Sequence, residues 1–220
     1  MTDPDRTQIT RLSEKARTER AELDALLDAT RVGHFALVAG AGRPVVIPTA
    51  IVRDGDRVLA HGSTGSRWMR MLATGVPTCL AVTLLDGLVV ARSAFESSLH
   101  YRSAVLFGEC SVVGEDEKLA ALDVITEGLL PGRRDEIRRP TKRELAATLV
   151  LALPITEWSL KVSDGWPEDP PEDIVGDAWA GVVPIVRSYA DALPAPDLRH
   201  GIAIPPSVHT LTRAPANTGP

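Results

Sequence analysis

Residues 33–63, GHFALVAGAGRPVVIPTAIVRDGDRVLAHGS, decide the fold. Apolar runs of strand length are separated by two turns, Gly40-Ala41-Gly42 and Asp54-Gly55. An Asp-Gly pair between apolar runs is a strong hairpin signal. Three strands joined this tightly are antiparallel, because a parallel pair needs a crossover of about a dozen residues or more.

The flanking sequence extends the pattern. Upstream, ERAELDALLDATR (19–31) sets Leu23, Leu26 and Leu27 at helical spacing, which predicts a helix over 18–30. Residues 1–17 are polar and charged and read as a mobile arm. Downstream, SRWMRMLATG (66–75) predicts a short helix ended by Gly75. PTCLAVTLLDGLVVARSA (77–94) reads as a second hairpin turning at Asp86-Gly87, and YRSAVLFGECSVVGE (101–115) as a long strand. Gly108 in that strand marks a bulge or a close backbone approach. DEKLAALDVITEGLLPG (116–132) is an amphipathic helix, and TKRELAATL (141–149) a second one with Thr141 and Glu144 as a capping box. VLALPITEWSLKVSD (150–164) reads as the final strand. The acidic, proline-rich DGWPEDPPEDIVGD (164–177) reads as a linker or draped loop, WAGVVPIVRSYADAL (179–193) as a short closing element, and the proline-rich end as extended.

About six strands joined by tight turns, with helices between them, predict a mainly β fold: a six-stranded antiparallel barrel with added helices. The expected division is an arm over 1–17, a barrel domain over 18–165 and a C-terminal extension over 166–220. Hydrophobic residues make up 44% of the 220 and charged residues 24%, enough for a core without disulfides or metals. Net charge is −5, which disfavours nucleic acid. The N-terminal residues hold no apolar stretch of the secretory kind, and no run approaches the ~18 apolar residues of a membrane span, so a cytoplasmic protein is expected. Cys79 and Cys110 lie in strand-like runs and are expected reduced and buried. No metal site is expected, since a zinc centre needs more ligands at closer spacing.

Three clusters could carry chemistry. His61-Gly62-Ser63-Thr64-Gly65-Ser66-Arg67 joins a strand to a helix. Its glycines let the backbone curl, its hydroxyls can donate, and Arg67 adds a fork matched to phosphate oxygens. The same residues also suit a plain polar turn with Ser66 as N-cap. It is neither a Walker loop nor a dinucleotide fingerprint. Arg92-Ser93 and His100-Tyr101-Arg102-Ser103 flank a strand entrance and suit either a phosphate contact or a solvated loop. Trp158, Trp166 and Trp179 could cover a planar cofactor or pack the tail, the commoner role. His34, inside an apolar strand, reads as a core residue, His61 at a strand end as better placed for function, and His200 and His209 as solvated.

RPVVIPTAIVRDGDRVLAHGSTGSRWMRML (43–72), VTLLDGLVVARSAFESSLHYRSAVLFGE (82–109) and WAGVVP (179–184) together resemble the pyridoxamine 5′-phosphate oxidase-like, FMN-binding split-barrel superfamily, in the flavin-nucleotide-binding group that includes the nitroimidazole-resistance proteins. The resemblance implies FMN as cofactor and a homodimer with FMN at the subunit interface. The family's Ser-Arg-Lys phosphate pattern falls on Ser66 and Arg67, with Trp68 in place of the lysine and Arg70 or Arg102 as substitutes. The pattern brings Gly62 and Ser63 into the phosphate loop and Tyr101-Arg102-Ser103 to the cofactor. It runs the backbone of Val46, Ile47, Pro48 and Thr49 beside the flavin ring, and places His61 close to the flavin as the catalytic candidate. The implied activity is an FMN-dependent oxidoreductase passing electrons from NAD(P)H to a small acceptor such as a nitroaromatic or quinone. The alternatives are a flavin-binding module without turnover, and the same barrel holding the deazaflavin F420 or haem.

Overall fold

Three of the six long strands are bent, and the bends make the barrel. The structure is a computed structural model that describes residues 6–213 and 217–218. Residues 1–5 of the expected arm and the rest of the C-terminal end lie outside the described residues. Strand β1 (Ala16–Arg17) is followed by helix α1 (Arg20–Ala29), then β2 (Val32–Ala39), β3 (Arg43–Ala50), β4 (Val52–Asp54), β5 (Arg57–Ser63), helix α2 (Arg67–Leu72), β6 (Pro77–Val90), β7 (Ser98–Glu109) and β8 (Ser111–Val112). Helix α3 (Glu115–Leu129), helix α4 (Lys142–Ala147), β9 (Thr148–Pro154) and β10 (Glu157–Ser163) complete the barrel. The tail adds helix α5 (Pro171–Ile174), β11 (Gly181–Pro184), β12 (Val186–Arg187) and helix α6 (Pro206–Arg213).

The large sheet runs β1-β10-β7-β6-β2-β3, with β11 added on β6; the small sheet runs β4-β5-β9-β8. Every pairing is antiparallel. The chain passes from one sheet to the other at Ile51, at Cys110 and at Ile155, and all three side chains are buried at these corners. Residues 43–54 therefore form one strand shared by both sheets, as do 98–112 and 148–163, which gives the six-stranded split barrel.

The interior follows the alternation of side chains along each strand. Phe35, Leu37, Leu80, Val82, Ala104, Leu106, Leu160 and Val162 face inward from the large sheet, and Val58, Ala60, Leu151 and Leu153 from the small one. Helix α1 contributes Leu23, Leu26 and Leu27 to this core, and α2 contributes Met69 and Leu72. The opposite face of the small sheet, with Leu59, Val150 and Ala152, is covered by Ala121 and Ile125 of α3.

Two expectations about strands are corrected. Residues 77–90 form one continuous strand, and Asp86-Gly87 is a bulge where the register with β7 shifts. The cause lies across the ladder: Arg102 of β7 holds both oxygens of Asp86 at 2.8 and 2.9 Å. Gly87 is needed instead because a Cβ there would sit 3.0 Å from the Val183 carbonyl oxygen of β11. Residues 150–164, read as one straight strand, fold over at Ile155. Gly108 marks a close approach, its missing Cβ falling 3.3 Å from Leu153.

The arm and the tail run along the barrel. Ala16 and Arg17 pair with Lys161 and Leu160. Arg6 pairs with Glu157 and lies 5.1 Å above the Phe107 ring. In the tail, Arg92 is bound to the buried Asp169 through its amide at 2.7 Å and its guanidinium at 2.9 Å. At the far end, Glu136 accepts from both the amide and the hydroxyl of Ser207. Trp158 packs against the core, whereas Trp166 and Trp179 are 76% and 65% exposed.

Candidate functional site

Two hollows flank the stretch that joins β5 to α2. Strand β5 sends Val58 and Ala60 into the main core, so Leu59 and His61 face the other way, under α3 and α4. His61 there lines a hollow of about 450 Å³ with Leu122, Ile137 and Leu145 as apolar walls. Its Nδ1 is buried without a hydrogen-bond partner. Burial lowers its pKa below the ordinary histidine value, which keeps the imidazole neutral near pH 7. A neutral, unpartnered imidazole facing an apolar-walled space is available as a ligand or a proton acceptor.

The mouth of this hollow is built from ion pairs. Arg138 grips Glu144 at 2.8 and 2.5 Å, and Arg139 binds both oxygens of Asp123 at 2.7 and 2.8 Å. The capping box is present as the sequence predicts: Thr141 Oγ1 accepts from the Glu144 amide at 3.2 Å, and Glu144 accepts from the Thr141 amide at 2.8 Å. The hydrogen bonds from Arg138, then those from Thr141, hold the Glu144 carboxyl down at about 2. A carboxyl depressed in the folded state adds stability that is complete above its unfolded value, about 4.3, and is lost as pH falls toward 2. The wild-type melting temperature should therefore drop more between pH 5 and pH 2 than that of Glu144→Gln. Parallel decline of the two, followed by circular dichroism, would show that these bonds add no net stability.

The second hollow, of about 490 Å³, opens between the β2–β3 turn and α2. Leu37, Val45, Ile47, Trp68 and Met71 supply its apolar surface, and Arg43 and Arg67 its charge. Most arginines of the barrel are ion-paired, but among the described residues neither Arg43 nor Arg67 meets a carboxylate or a carbonyl acceptor. Two unpaired guanidiniums on one apolar hollow are free to receive an anion, beside a surface with room for a flat ring. Trp68 is seated by Phe35, their ring centroids 6.4 Å apart. The hydroxyl of Ser66 makes no capping bond, while Ser63 Oγ accepts from the Gly65 amide at 3.1 Å and shapes the loop.

The sequence-predicted residues thus fall into four groups. Ile47, Arg67 and Trp68 line one hollow together, with Ser66 next to them in the chain. His61 lines the other hollow, and Gly62 stands between the two: a Cβ on it would fall 3.2 Å from Met69 Cγ, beside Trp68. Val46 and Pro48 point to the outer face of the large sheet, where Val46 is 59% exposed; Thr49 follows, facing as Ile47 does. Tyr101, Arg102 and Ser103 lie toward the opposite end of that sheet, Arg102 in register with Leu84, whereas the second hollow lies near Leu37, in register with Thr78. Six residues of strand separate those levels, roughly 20 Å. Arg102 is therefore not a substitute phosphate ligand within one chain: its fork is committed to Asp86. Burial alone would raise the Asp86 carboxyl, but Arg102, then Arg187, outweigh it and hold it below the ordinary range. His100 bonds the Gly165 carbonyl at 2.8 Å.

His34 is also corrected. It is exposed on the outer sheet face between Pro48 and Ala81, because β2 turns Phe35, not His34, into the core. Cys110 is buried, with its thiol pushed up to about 12, and Cys79 is half-buried; both are free. The residues that the sequence reading passed over are Arg43, directly after the first turn, and the basic run Arg133, Arg134, Arg138 and Arg139.

No helix among the described residues is long and apolar enough to cross a membrane, and none of their acidic, histidine and cysteine side chains cluster as a metal site. The sequence profile of pyridoxamine 5′-phosphate oxidase matches residues 19–162. No curated protein matches the chain. Among solved structures, the FAD and haem binding protein from Mycobacterium smegmatis is 51% identical, over 90% of this chain and 97% of that one, with a TM-score of 0.88. The flavocytochrome Anf3 from Azotobacter vinelandii is 36% identical, over 94% and 96%, also at 0.88. A 5-nitroimidazole antibiotic resistance protein from Bacteroides thetaiotaomicron shares the fold at 17% identity, over 67% and 86%, with a TM-score of 0.58. The matched profile spans the whole barrel, and the chain belongs to the pyridoxamine 5′-phosphate oxidase-like, flavin-binding family.

Proposed function

We propose that the protein is a two-cofactor redox protein, with FAD in the hollow of Arg43, Arg67 and Trp68 and haem on His61. The observation that carries this reading is His61 itself: a neutral imidazole without a hydrogen-bond partner, in a hollow with apolar walls and an ion-paired mouth, separate from the hollow of Arg43 and Arg67. A neutral imidazole is a common haem ligand, and flavin binding does not require one. The 51% identical relative binds FAD and haem, which supports the choice of the two cofactors. FAD is put in place of the FMN expected from sequence on the strength of that relative, and Arg43 and Arg67 can take up the phosphate groups of either.

When bound, the flavin supplies hydride chemistry and the haem one-electron chemistry; a nicotinamide donor and a small acceptor, such as a nitroaromatic or quinone, suit that pair. The chain's own part is placement. Arg43 and Arg67 hold the anionic end of the flavin, Trp68 and Ile47 border its ring, and His61 offers a lone pair to iron. A second copy belongs to the reading. The outer face of the large sheet carries Ala36, Val46, Pro48 and Ala81 around His34, all half-buried or exposed, and it suits a two-fold partner that would shield the flavin.

The test is an absorption spectrum of the purified protein followed by mass spectrometry of what it releases. Flavin and Soret bands together, with FAD and haem in the extract, are expected; a flavin band alone would remove the haem half. Arg43→Ala and Arg67→Ala should each weaken FAD binding about ten- to a hundredfold, the worth of a charge-assisted hydrogen bond of about 1.5–3 kcal/mol. Riboflavin, which carries no phosphate, should be much less affected. Equal losses for both flavins, read by fluorescence quenching, would mean that these arginines support the ring or the fold.

A further inference from the structure

The connection from α3 to α4 places four arginines within residues 133–139, and three of them line the His61 hollow. With Asp123 and Glu144, its rim holds three guanidiniums against two carboxylates. Arg138 spends its fork on Glu144 and donates to the Arg139 carbonyl at 3.0 Å. Arg134 and Arg139 are arranged differently, because both lean on one acid. Arg134 Nε lies 3.1 Å from Asp123 Oδ2, and Arg139 meets Asp123 through Nη1 alone. One carboxylate therefore holds two guanidiniums at the mouth, about half exposed. No hydrogen bond among the described residues engages the Nη atoms of Arg134, or Nε and Nη2 of Arg139.

We propose that Arg134 and Arg139 form a carboxylate clamp for the ligand of His61, which would be a planar apolar ring bearing carboxylates along one edge: a porphyrin dicarboxylate. The inference rests on the haem reading above and adds the orientation. Leu122, Ile137 and Leu145 accept the ring, His61 lies inside, and the acid edge faces out to the two guanidiniums. Guanidinium N–H groups match carboxylate oxygens in pairs, which a hydrated ammonium cannot do.

The full-length, cofactor-free protein is titrated with haem, with iron-free protoporphyrin IX, and with the dimethyl ester of each. Haem is read by absorption and the iron-free ring by fluorescence. The wild type should bind both acids at least about ten times more tightly than their esters. Arg134→Gln with Arg139→Gln should weaken both acids about ten- to a hundredfold and leave the esters unchanged. Arg139→Lys, which keeps the charge without the fork, should fall between. An unchanged circular dichroism melt of these variants separates lost binding from lost folding, and Arg139→Lys alone carries the test if the double variant does not fold. Acids and esters weakened alike, or acids bound at wild-type strength by the double variant, would overturn the clamp and leave His61 as ligand. Haem bound no better than the iron-free ring by the wild type would remove His61 as ligand and leave the clamp. No binding of any porphyrin would overturn both.

Discussion

His61→Ala should abolish haem binding while leaving the flavin in place. Loss of an outer-shell partner of a metal typically costs ten- to a hundredfold in affinity, and loss of the ligand itself should cost at least about a hundredfold. The selectivity follows from strand alternation. His61 faces the α3 side of the small sheet, in register with Val150, whereas Trp68 and Arg67 belong to the other hollow. The variant should lose its Soret band and keep its flavin spectrum. The pH dependence has a defined sign. A ligand histidine must be neutral, and burial lowers the pKa of His61, so haem affinity should hold through neutral pH and decline only below the ordinary histidine value of about 6.5. A variant that keeps the Soret band, or loses both cofactors together, would place the haem elsewhere or make His61 structural.

Phe35→Ala should be the most destabilising single truncation of the barrel, by about 3–5 kcal/mol. Phe35 is among the largest fully buried side chains, sits in the middle of β2 between Ile47 and Leu80, and backs Trp68. The truncation removes apolar burial and leaves a cavity that the two flanking strands cannot close without breaking their ladders. The denaturant midpoint should fall at unchanged slope. Flavin affinity should fall as well, since Trp68 loses the ring that seats it, whereas haem affinity should not. A loss below about 1 kcal/mol would show that Trp68 or α2 collapses into the space, and that the hollow is softer than its packing implies.

The parts of this molecule that were legible in its sequence are those encoded within a few residues. The Asp54-Gly55 turn, the leucines of α1 and the Thr141–Glu144 capping box are local, and each lies where the sequence predicts. The corners at Ile51, Cys110 and Ile155 were not legible, because a strand that crosses between sheets keeps its apolar pattern while its partners change. Asp86-Gly87 carries the same letters as a hairpin turn and becomes a bulge only because Arg102 and β11 meet it from other strands. His34 shows the same limit. Alternation says that His34 and Phe35 face opposite ways, but not which side is the interior. Arg67 and Trp68 are neighbours in the chain and line one hollow together, whereas Arg43 and the Asp123-held arginines gain meaning only from what stands opposite them.

Anchoring the arm and the tail onto finished parts of the barrel fixes the order in which these contacts can form. Arg6 waits for Glu157, 151 positions later, and Lys15 for Ser163, so the first strand has no docking edge until the last barrel strand exists. Ser207 reaches back 71 positions to Glu136, beside the arginine run over the His61 hollow. Contacts of such separation carry their loop-closure entropy before any reward and form late. The connection that carries the arginine run therefore stays untied at Glu136 until residue 207 has been made.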